Sequence, residues 1–535
     1  MNKLNDKTKI IIVTGGVFSS LGKGVASSSV GAMLKSYNFN VMIMKFDPYL
    51  NVDAGTMSPE QHGEVFVTHD GNETDLDIGN YERFLNINLP KESNITAGKV
   101  YYETLQKERN GNFLGSTIQV IPHITTAINN KIIDLCNQYL PDFLVVEVGG
   151  TVGDIESIPF LEAIRQLSAK NRGQVMFVHT VPLIELLTSK EEKTKPLQHS
   201  VKELMSYGIF PNLLFLRSKS EISNRTKQKI SLTTGIEENN IISLMNLKHV
   251  YLLPELLRKQ NLHKIIFDFF KVQYNESTRS LAWDNFIDLI NKPKQYKARI
   301  GLVGKYVDTS DSYLSVITSL KIAAFHLNTE IEIDLIDSSK VDASNVDKLK
   351  AYDGLLVPGG FGNRGIEGKL LTIKCARENN IPFFGICLGM QLACIEFARN
   401  VMGIVDANST EFEITTNPII TILEGKNSNK NMGGTLRLGN YLCHLTPNTK
   451  AYQAYQEETV YERHRHRYEF NSNYKSNFEA HGFVFSGINK EKDLIEIIEL
   501  KDHKYFLAAQ FHPEFTTKVL KPNPLFVSFI KAARK

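Results

Sequence analysis

Strand-length apolar runs recur along the first half of the chain, and segments with helical periodicity separate several of them. The apolar runs lie at residues 10–13, 41–45, 144–148, 175–179 and 213–216. Short continuous apolar runs bounded by turn residues are typical of strands buried on both faces of a parallel sheet. The alternation therefore predicts a mostly parallel sheet covered by helices, which ends near Tyr274.

A second alternating series starts with ARIGLVGKY at residue 298 and continues at 354–357, 382–386 and 506–510. The sequence between the two series is more polar, holds the only tryptophan, Trp283, and ends in a basic stretch. We interpret this segment as a linker that can include one packed helix. The pattern thus predicts an α/β protein with two doubly wound domains, residues 1–274 and 298–535, joined by the linker 275–297.

Composition places the chain among ordinary globular proteins. It has 535 residues, of which 42% are hydrophobic and 22% charged, with a net charge of +3 and five cysteines. So small a positive charge argues against a dedicated nucleic-acid binder, and no apolar stretch is long enough to span a bilayer. Few cysteines without metal-like spacing suit a reducing compartment, so we expect a soluble cytoplasmic protein with no membrane partner.

A glycine-rich loop, TGGVFSSLGKG, follows the first apolar run and precedes a helical pattern at 25–37. This order puts backbone N–H groups and a helix N-terminus around an anion, and Lys23 would add a mobile charge for the outer phosphates of a nucleotide. The strict phosphate-loop pattern is not met, because Val17 stands at its first glycine and Gly24 replaces its metal-binding Ser or Thr. A metal ion would therefore need ligands from elsewhere in the chain.

Carboxylates near strand ends are the candidates for those ligands, because Mg²⁺ prefers oxygen. ETDLD offers Asp75 and Asp77 in a polar loop, where a solvated charge is the plain alternative. Glu147 lies near the end of an apolar strand, where open α/β sheets bind ligands and where an acid is costly without a partner. The basic run at 190–202 is, from charge alone, a solvated loop, although two lysines around a proline can also clamp a triphosphate.

The second chemical motif, FFGICLGMQ, is an apolar strand that turns at 385–389 into a helical pattern at 391–399. A cysteine on such an elbow projects its side chain, lies at a helix N-terminus that favours the thiolate, and leaves backbone N–H groups to hold an oxyanion. Cys387 fits this place. AAQFHPEF supplies His512 as a base and Glu514 as the residue that orients it.

Two further stretches accompany the cysteine. VPGGFGNRG follows another strand and presents the N–H of Gly360, beside Gly359, as an oxyanion donor. RHRHRYE alternates so that Arg463, Arg465 and Arg467 share one face of a predicted strand. We interpret that strand as structural or carboxylate-binding rather than as a metal or nucleic-acid tract.

Together these stretches resemble the CTP synthase family. The matching motifs are TGGVFSSLGKG, KFDPYLNVDAGTMSPEQHGEVFV, ETDLDIGNYERF, VEVGGTVGDIES, KTKPLQHSVKEL, PGGFGNRG, GICLGMQ, NSTEF, MGGTLRLG, RHRHRYE and QFHPEF, which extend from residue 14 to residue 515. The resemblance implies an N-terminal, phosphate-loop-like synthase domain with a dethiobiotin-synthetase-like fold and a C-terminal class I glutamine amidotransferase domain. ATP would phosphorylate O4 of UTP, and ammonia from glutamine would then displace phosphate to give CTP.

By matching motif, the resemblance also assigns residues to each ligand. The expected ATP contacts are Ser20, Leu21, Gly22, Lys23, Gly24, Val25, Lys45, Asp77, Met245, Asn246 and Leu247. The expected UTP or CTP contacts are Ser19, Asp154, Ile155, Glu156, Lys193, Thr194, Lys195, Pro196, Leu197, Gln198 and Lys229. The expected glutamine contacts are Gly360, Leu388, Gly389, Met390, Gln391, Glu411 and Arg467, with oxyanion donors at Gly360 and Leu388. Asp77 and Glu147 would hold Mg²⁺.

The same resemblance implies GTP as an activator of glutamine hydrolysis, CTP as a product inhibitor, an internal ammonia channel, a homotetramer and filaments. One departure from the family pattern is Leu197, where the family often has Thr. This change removes a hydroxyl near the expected pyrimidine nucleotide.

Three other functions remain open from the sequence. Another ATP-dependent amidotransferase, such as a cobyrinic acid diamide synthase, shares the fold pairing but does not explain KTKPLQHSVKEL or GGTVGDIES. A ParA-like or MinD-like nucleotide switch would leave Cys387, His512 and Glu514 without a role. A purely structural, filament-forming protein would not need catalytic residues in both halves.

Overall fold

The computed structural model describes residues 2–19, 21–185, 192–307, 310–422 and 436–535. The chain divides into two compact units, Met1–Ala54 with Asp77–Ile287 and Gly55–Leu76 with Asp288–Lys535. The early segment 55–76 is therefore part of the second unit. The division near residue 287 falls inside the helix Ala282–Asn291, whose Trp283 donates a hydrogen bond of 3.0 Å to the carbonyl of Tyr251.

The first unit contains, among its described residues, a seven-stranded sheet in which every neighbouring pair is parallel. All five apolar runs predicted for this half are strands of that sheet. From edge to edge the strands are Ile241–Met245, Leu213–Ser218, Val175–Pro182, Lys9–Gly15, Phe143–Val148, Val41–Asp47 and Asn94–Thr96. Because the strands are parallel, their carboxyl ends meet at one edge, which is where such sheets bind ligands.

Helices separate these strands along the chain, as the periodicity predicts. Local sequence sets where they begin: Thr96 accepts a hydrogen bond of 3.0 Å from the Lys99 N–H, and Pro196 stands in a first turn, where its missing N–H costs nothing. The helices are Lys23–Ser36, Leu76–Leu85, Ala97–Arg109, Thr125–Tyr139, Ile158–Lys170, Lys195–Ser206, Asn224–Thr234, Leu253–Lys259 and Leu262–Phe270.

The second unit contains, in the part of the chain that is described, a nine-stranded mixed sheet. In spatial order its strands are Thr329–Asp337, Tyr296–Gly304, Gly354–Val357, Phe383–Ile386, Phe506–Ala509, Leu494–Leu500, Phe483–Asn489, Arg437–Leu445 and Thr459–His466. The first five are parallel to one another, and the remaining neighbours are antiparallel. The alternating series at 298–510 predicted four of these parallel strands, but neither the parallel edge strand Thr329–Asp337 nor the antiparallel extension.

The helices of the second unit are Pro59–His62, Leu314–His326, Ile366–Glu378, Leu388–Asn400, Lys450–Tyr455, Lys475–Ala480 and Pro524–Ala533. Small sheets add Phe66–Val67 with Glu73–Thr74, and Asn408–Ser409 with Pro418–Ile422 and Tyr468–Phe470. The predicted α/β class with two sheet domains is confirmed. The five cysteines are buried and free, and no helix within the described ranges combines the length and apolarity that crossing a bilayer requires.

Candidate active sites

The glycine-rich loop joins the strand Lys9–Gly15 to the helix Lys23–Ser36. Gly22 precedes the helix with φ of +85°, a left-handed conformation that favours glycine. Of the predicted nucleotide contacts, Ser19 is exposed, Leu21 is buried, Gly24 and Val25 form the first helical turn, and Ser20 lies outside the described residues. The loop therefore has the strand, glycine turn and helix N-terminus of an anion cradle.

Lys23 lies along the floor of this loop. An ideal Cβ on Gly15 would come 2.7 Å from Lys23 Cδ, so the absence of a side chain at Gly15 makes room for the lysine stem. The Lys23 ammonium donates to the carbonyl of Gly150. Burial lowers the pKa of Lys23, and the negative charge of Glu147 partly offsets this effect.

Asp77 lies directly against the start of the same helix. An ideal Cβ on Gly24 would come 2.2 Å from Asp77 Oδ1, so Asp77 takes the space of the Ser or Thr of the strict phosphate-loop pattern. Lys45 Nζ lies 2.5 Å from Asp77 Oδ2 and 3.6 Å from Asp47 Oδ1. Burial alone would raise the pKa of Asp77, but the Lys45 ammonium outweighs it and holds the pKa below its usual range.

Glu147 is the second carboxylate here and is only 2% exposed at the end of the strand Phe143–Val148. Burial, together with the charge of Asp77, raises its pKa to about 7, and the Tyr81 hydroxyl donates to it. Sequence reasoning missed Tyr81, although its place four residues after Asp77 on one helix was a usable signal. Two close carboxylates beside a phosphate cradle suit a hard divalent cation, which would relieve their repulsion.

No group of three or more His, Cys, Asp or Glu side chains converges as a metal site within the residues that the structure describes. Asp77 and Glu147 would then be two oxygen ligands that the described residues could offer. Such a small protein share is usual for Mg²⁺ beside a nucleotide, because phosphate oxygens and waters complete the octahedron.

Apart from Ser19 and Lys229, the residues predicted for the pyrimidine nucleotide fall into two groups. Asp154 accepts a hydrogen bond of 3.0 Å from the Thr151 N–H, and its charge acts on Lys23, so it lies near the loop. Its neighbours Ile155 and Glu156 form an exposed turn. The second group consists of Lys193, Thr194, Lys195, Pro196, Leu197 and Gln198, which lie at or just before the start of the helix Lys195–Ser206.

Leu197 is fully buried in a hydrophobic cluster with Val181, Leu183 and Val201. Its side chain therefore belongs to the core, and any contact with a nucleotide would come from its backbone. Gln198 is also buried, and its Nε2 donates to Thr194 Oγ1 over 3.1 Å, which ties the start of the helix together.

Lys229 lines a cavity of about 570 Å³ together with Glu192 and Arg225. Met245, Asn246 and Leu247 lie at and beyond the end of the edge strand Ile241–Met245, which is separated from the strand Lys9–Gly15 by two others. They reach the same sheet edge as the glycine loop, but no described contact joins them to it.

Cys387 lies between the strand Phe383–Ile386 and the helix Leu388–Asn400, which starts three residues earlier than the sequence pattern predicted. Its backbone has φ of +51° and ψ of −101°, a conformation that costs a side chain on the order of 1–3 kcal/mol. Its N–H donates to the carbonyl of Ala509 over 2.7 Å, which fixes the elbow against the neighbouring strand. The strained turn projects the thiol from the sheet edge.

His512 and Glu514 meet this cysteine in the fold. His512 Nδ1 lies 2.7 Å from Glu514 Oε1, and both residues are buried. An ideal Cβ on Gly359 would come 2.9 Å from His512 Cε1 and 3.6 Å from Cys387 Cβ, so both residues border the same glycine. Burial opposes protonation of His512, but the charges of Glu514 and Cys387 outweigh it and raise its pKa to about 10.

The predicted oxyanion donors are also neighbours, since an ideal Cβ on Gly360 would come 3.6 Å from Leu388 Cδ2. A cavity of about 170 Å³ opens here, bordered by Gly360, Cys387, His512 and Arg465. Gln510 Nε2 lies 3.8 Å from the Cys387 Sγ. A thiol thus lies near an imidazole that a carboxylate contacts, which is the set of groups that nucleophilic attack on an amide requires.

Of the residues predicted to hold glutamine, Gly360 lines that cavity, and the others have contacts around it or in the elbow. Glu411 Oε1 accepts a hydrogen bond of 2.8 Å from the Gly362 N–H, and the charge of Arg467 acts on Glu411. Gln391 Nε2 donates to the carbonyl of Tyr468 over 3.0 Å. Gly389 and Met390 are buried in the first turn of the helix. Gly389 packs against the backbone of Val357, and Met390 belongs to the core cluster.

Two lysines near the oxyanion loop were missed by sequence reasoning. Lys305 Nζ contacts the carbonyl of Phe361, and Lys369 is 0% exposed on the helix Ile366–Glu378. Burial lowers the pKa of Lys369 to about 7. No local sequence pattern marks a lysine as buried, because the residue is normally on the surface.

The arginines of RHRHRYE have different roles. The strand runs from Thr459 to His466, so Arg467 lies beyond its end. Arg463 Nη1 donates to the carbonyl of Val67 over 2.9 Å, and Arg465 Nε lies 2.8 Å from Glu73 Oε1. Both partners belong to the segment 55–76, which confirms a structural strand for the first two arginines.

Comparison with known proteins covers both halves of the chain. Residues 9–272 match the family model "CTP synthase N-terminus", and residues 308–532 match "Glutamine amidotransferase class-I". The curated CTP synthases of Bacillus cytotoxicus and Bacillus subtilis are each 50% identical to this chain, over 98% of this chain and 98% of their own length. That of Geobacillus kaustophilus is 50% identical over 99% of this chain and 100% of its own. A solved glutaminase domain of Trypanosoma brucei CTPS with bound acivicin is 37% identical, covering 44% of this chain and 93% of its own, with a TM-score of 0.42.

Proposed function

The chain belongs to the CTP synthase family, which makes it a glutamine-hydrolysing ligase that aminates UTP to CTP, and we propose that the two sites described above divide this reaction between them. Membership at this identity removes the cobyrinic acid, nucleotide-switch and purely structural alternatives. One observation supports this division of the reaction. Cys387, His512 and Glu514 lie close together in the second unit, whereas the glycine loop lies in the first.

In the second unit, the Cys387 thiolate attacks the side-chain amide of glutamine. The N–H groups of Gly360 and Leu388 hold the oxyanion that forms on the amide carbonyl. His512, kept protonated by Glu514 and the thiolate, gives its proton to the departing nitrogen as ammonia leaves. Water then hydrolyses the thioester, with His512 as the base. Glu411 would contact the glutamine α-ammonium and Arg467 its α-carboxylate.

In the first unit, the glycine loop and Lys23 hold the ATP phosphates, and Lys45 stabilises the charge that develops as the γ-phosphoryl group moves to O4 of UTP. Asp77 and Glu147 would hold Mg²⁺, which neutralises phosphate charge when bound. Lys193, Lys195, Gln198 and Lys229 would hold the UTP triphosphate. Phosphorylation turns the C4 oxygen into a leaving group, and ammonia displaces it as phosphate.

Four finer features of the function are part of the same proposal. We propose GTP as an activator of glutamine hydrolysis, CTP as a product inhibitor, and ammonia transfer through an internal channel. We also propose a homotetramer, able to form filaments, whose subunits complete each nucleotide site. All five cysteines are free thiols, which supports a location in the reducing cytoplasm.

The test of this division compares nitrogen donors in the purified full chain. The enzyme receives UTP, ATP and Mg²⁺ with either glutamine or ammonium, with and without GTP, and CTP is measured. Cys387→Ala is expected to lose glutamine-dependent CTP formation by at least about a thousandfold, because no other thiol borders the site, and to keep ammonium-dependent formation within about twofold.

Cys394→Ala is the matched control, since Cys394 lies on the helix that directly follows Cys387 and is fully buried in the core cluster. It should retain both activities. CTP formation from glutamine by Cys387→Ala would contradict the assignment of the nucleophile. Absence of CTP from either donor in the folded wild-type protein would contradict the proposed reaction itself.

A further inference from the structure

A buried histidine connects the phosphate loop to the helix that carries the proposed UTP contacts. His179 lies on the strand Val175–Pro182, next to the strand Lys9–Gly15, and is 0% exposed. Its Nδ1 lies 2.9 Å from Thr14 Oγ1, and its Nε2 lies 2.9 Å from Ser200 Oγ. Thr14 is the residue before the glycines of the loop, and Ser200 lies on the helix Lys195–Ser206.

The hydrogen-bonding roles along this chain can be assigned. Burial lowers the pKa of His179 to about 3, so the ring is neutral and carries one donor and one acceptor. The Thr14 hydroxyl also lies within donating distance, 3.4 Å, of the carbonyl of Val178. If Thr14 donates there, Nδ1–H donates to Thr14 and Nε2 accepts from the Ser200 hydroxyl. Each of the two hydroxyls then meets a ring nitrogen of opposite polarity.

The helix also touches the loop directly at Gly16. An ideal Cβ on Gly16 would come 1.7 Å from Ser200 Oγ and 3.0 Å from His179 Nε2, so no other residue fits here without displacing the helix. The Gly16 N–H donates to the carbonyl of Thr180 over 3.0 Å. A shift of the helix relative to the strand would therefore have to break hydrogen bonds or move the glycine loop.

We propose that His179 is a positioning residue that holds the helix Lys195–Ser206 in register with the phosphate loop, so that UTP is placed correctly for attack on the ATP γ-phosphoryl group. This inference rests on the proposed function, because it takes the residues 193–198 as UTP contacts. His179 touches neither nucleotide. It acts by fixing the distance between the elements that bind them, and a misplacement of about 1 Å is enough to slow a two-substrate reaction markedly.

The test uses the full chain and ammonium-dependent CTP formation, which does not need the glutaminase site. The variants are Thr14→Val, Ser200→Ala, their combination, and His179→Phe, which keeps a flat ring but removes both hydrogen bonds. Each single hydroxyl variant is expected to raise the KM for UTP about fivefold, since each loses one buried hydrogen bond. The double variant should raise the KM for UTP by less than the product of the two single-variant increases, because the His179 ring already loses its fixed orientation with the first substitution.

Thr180→Val is the matched control. Thr180 is the next residue on the same strand, is equally buried, and its Oγ1 has no hydrogen-bond partner within the described residues. This isosteric change should leave the KM for UTP and for ATP within twofold of wild type. Circular dichroism and thermal unfolding of each full-length variant report whether it is folded.

Unchanged KM values in folded Ser200→Ala and His179→Phe would overturn the inference, as would strictly multiplicative effects in the double variant or an equal effect of Thr180→Val. A wild-type protein that forms no CTP would instead contradict the proposed function. The two failures are therefore distinguishable in one set of assays.

Discussion

Gly24 and Asp77 show how one missing side chain decides the chemistry of the phosphate loop. In the strict loop pattern a Ser or Thr at this position ligates the metal. Here the space of that side chain is filled by the Asp77 carboxylate, which Lys45 holds from the other side. Gly24 departs from the motif because Asp77, on the helix Leu76–Leu85, occupies the space that a Ser or Thr side chain would need.

Restoring the motif residue should harm this enzyme. Gly24→Ser places a Cβ 2.2 Å from Asp77 Oδ1, so Asp77 must leave its position beside Lys45. CTP formation from either nitrogen donor is expected to fall at least about tenfold, while glutamine hydrolysis is retained. Ser27→Ala serves as a control of general stability, because Ser27 is fully buried on the same helix and its Oγ has no hydrogen-bond partner within the described residues. Equal activity of Gly24→Ser and wild type would contradict the role of Asp77.

The helix Ile366–Glu378 contains one buried residue, Lys369, that lowers the stability of the folded state. It buries Lys369 completely, and burial lowers the pKa of this lysine from 10.5 to about 7. A lysine whose pKa is lower in the folded than in the unfolded state opposes folding. The penalty is fully present below pH 7, decreases as the pH rises, and is gone above pH 10.5.

Lys369→Met should therefore stabilise the protein in a pH-dependent way. Below pH 7 the expected gain in the free energy of unfolding is on the order of 3–5 kcal/mol, and it should shrink toward zero near pH 10.5. Thermal unfolding at pH 6, 8 and 10 measures this trend. Lys374→Met, which removes a partly exposed lysine from the same helix, is unfolded under the same conditions for comparison. A pH-independent gain for Lys369→Met would contradict the titration.

At the scale of the whole molecule, the second unit is built from two segments that are far apart in the sequence. The segment 55–76 belongs to the second unit, where Arg463 and Arg465 bind it and where Glu64 accepts a hydrogen bond of 2.8 Å from the Ser315 N–H. Phe66 packs edge-on against Phe515, the residue after Glu514, which is the proposed orienting acid of His512. The glutaminase unit is thus completed by an early part of the sequence.

Glu73→Ala should consequently destabilise the glutaminase unit. It leaves the largely buried Arg465 without its carboxylate, a change that costs about 2–4 kcal/mol when an ion pair is shielded from water. The temperature at which half of the glutamine hydrolysis is lost is expected to fall by several degrees. Glu103→Ala breaks a partly exposed pair with Lys131 in the first unit and should change this temperature little. Equal shifts for both variants would argue against the assignment of the segment.

Local patterns predicted the features that depend on neighbouring residues. The strands around 10–13 and 144–148, the glycine loop and the cysteine elbow all follow from short apolar runs and turn residues, and the structure confirms them. The approach of Asp77 to Gly24, the burial of Lys369 and the bond between His179 and Ser200 join residues far apart in sequence. Nothing in local periodicity encodes such contacts, because they arise only when the sheets assemble.

The split composition of the second unit also bears on how the protein is made. On the ribosome, the segment Gly55–Leu76 emerges about 210 residues before Asp288, with which the rest of its unit begins. At roughly 5–20 residues per second, that delay is about 10–40 s, during which the first unit can fold around a loop whose own partners have not yet been synthesised. Nascent chains stalled before residue 288 should therefore expose Phe66 and its neighbours to chaperones, and release from the ribosome, rather than folding of the first unit, should set the time at which glutaminase activity appears.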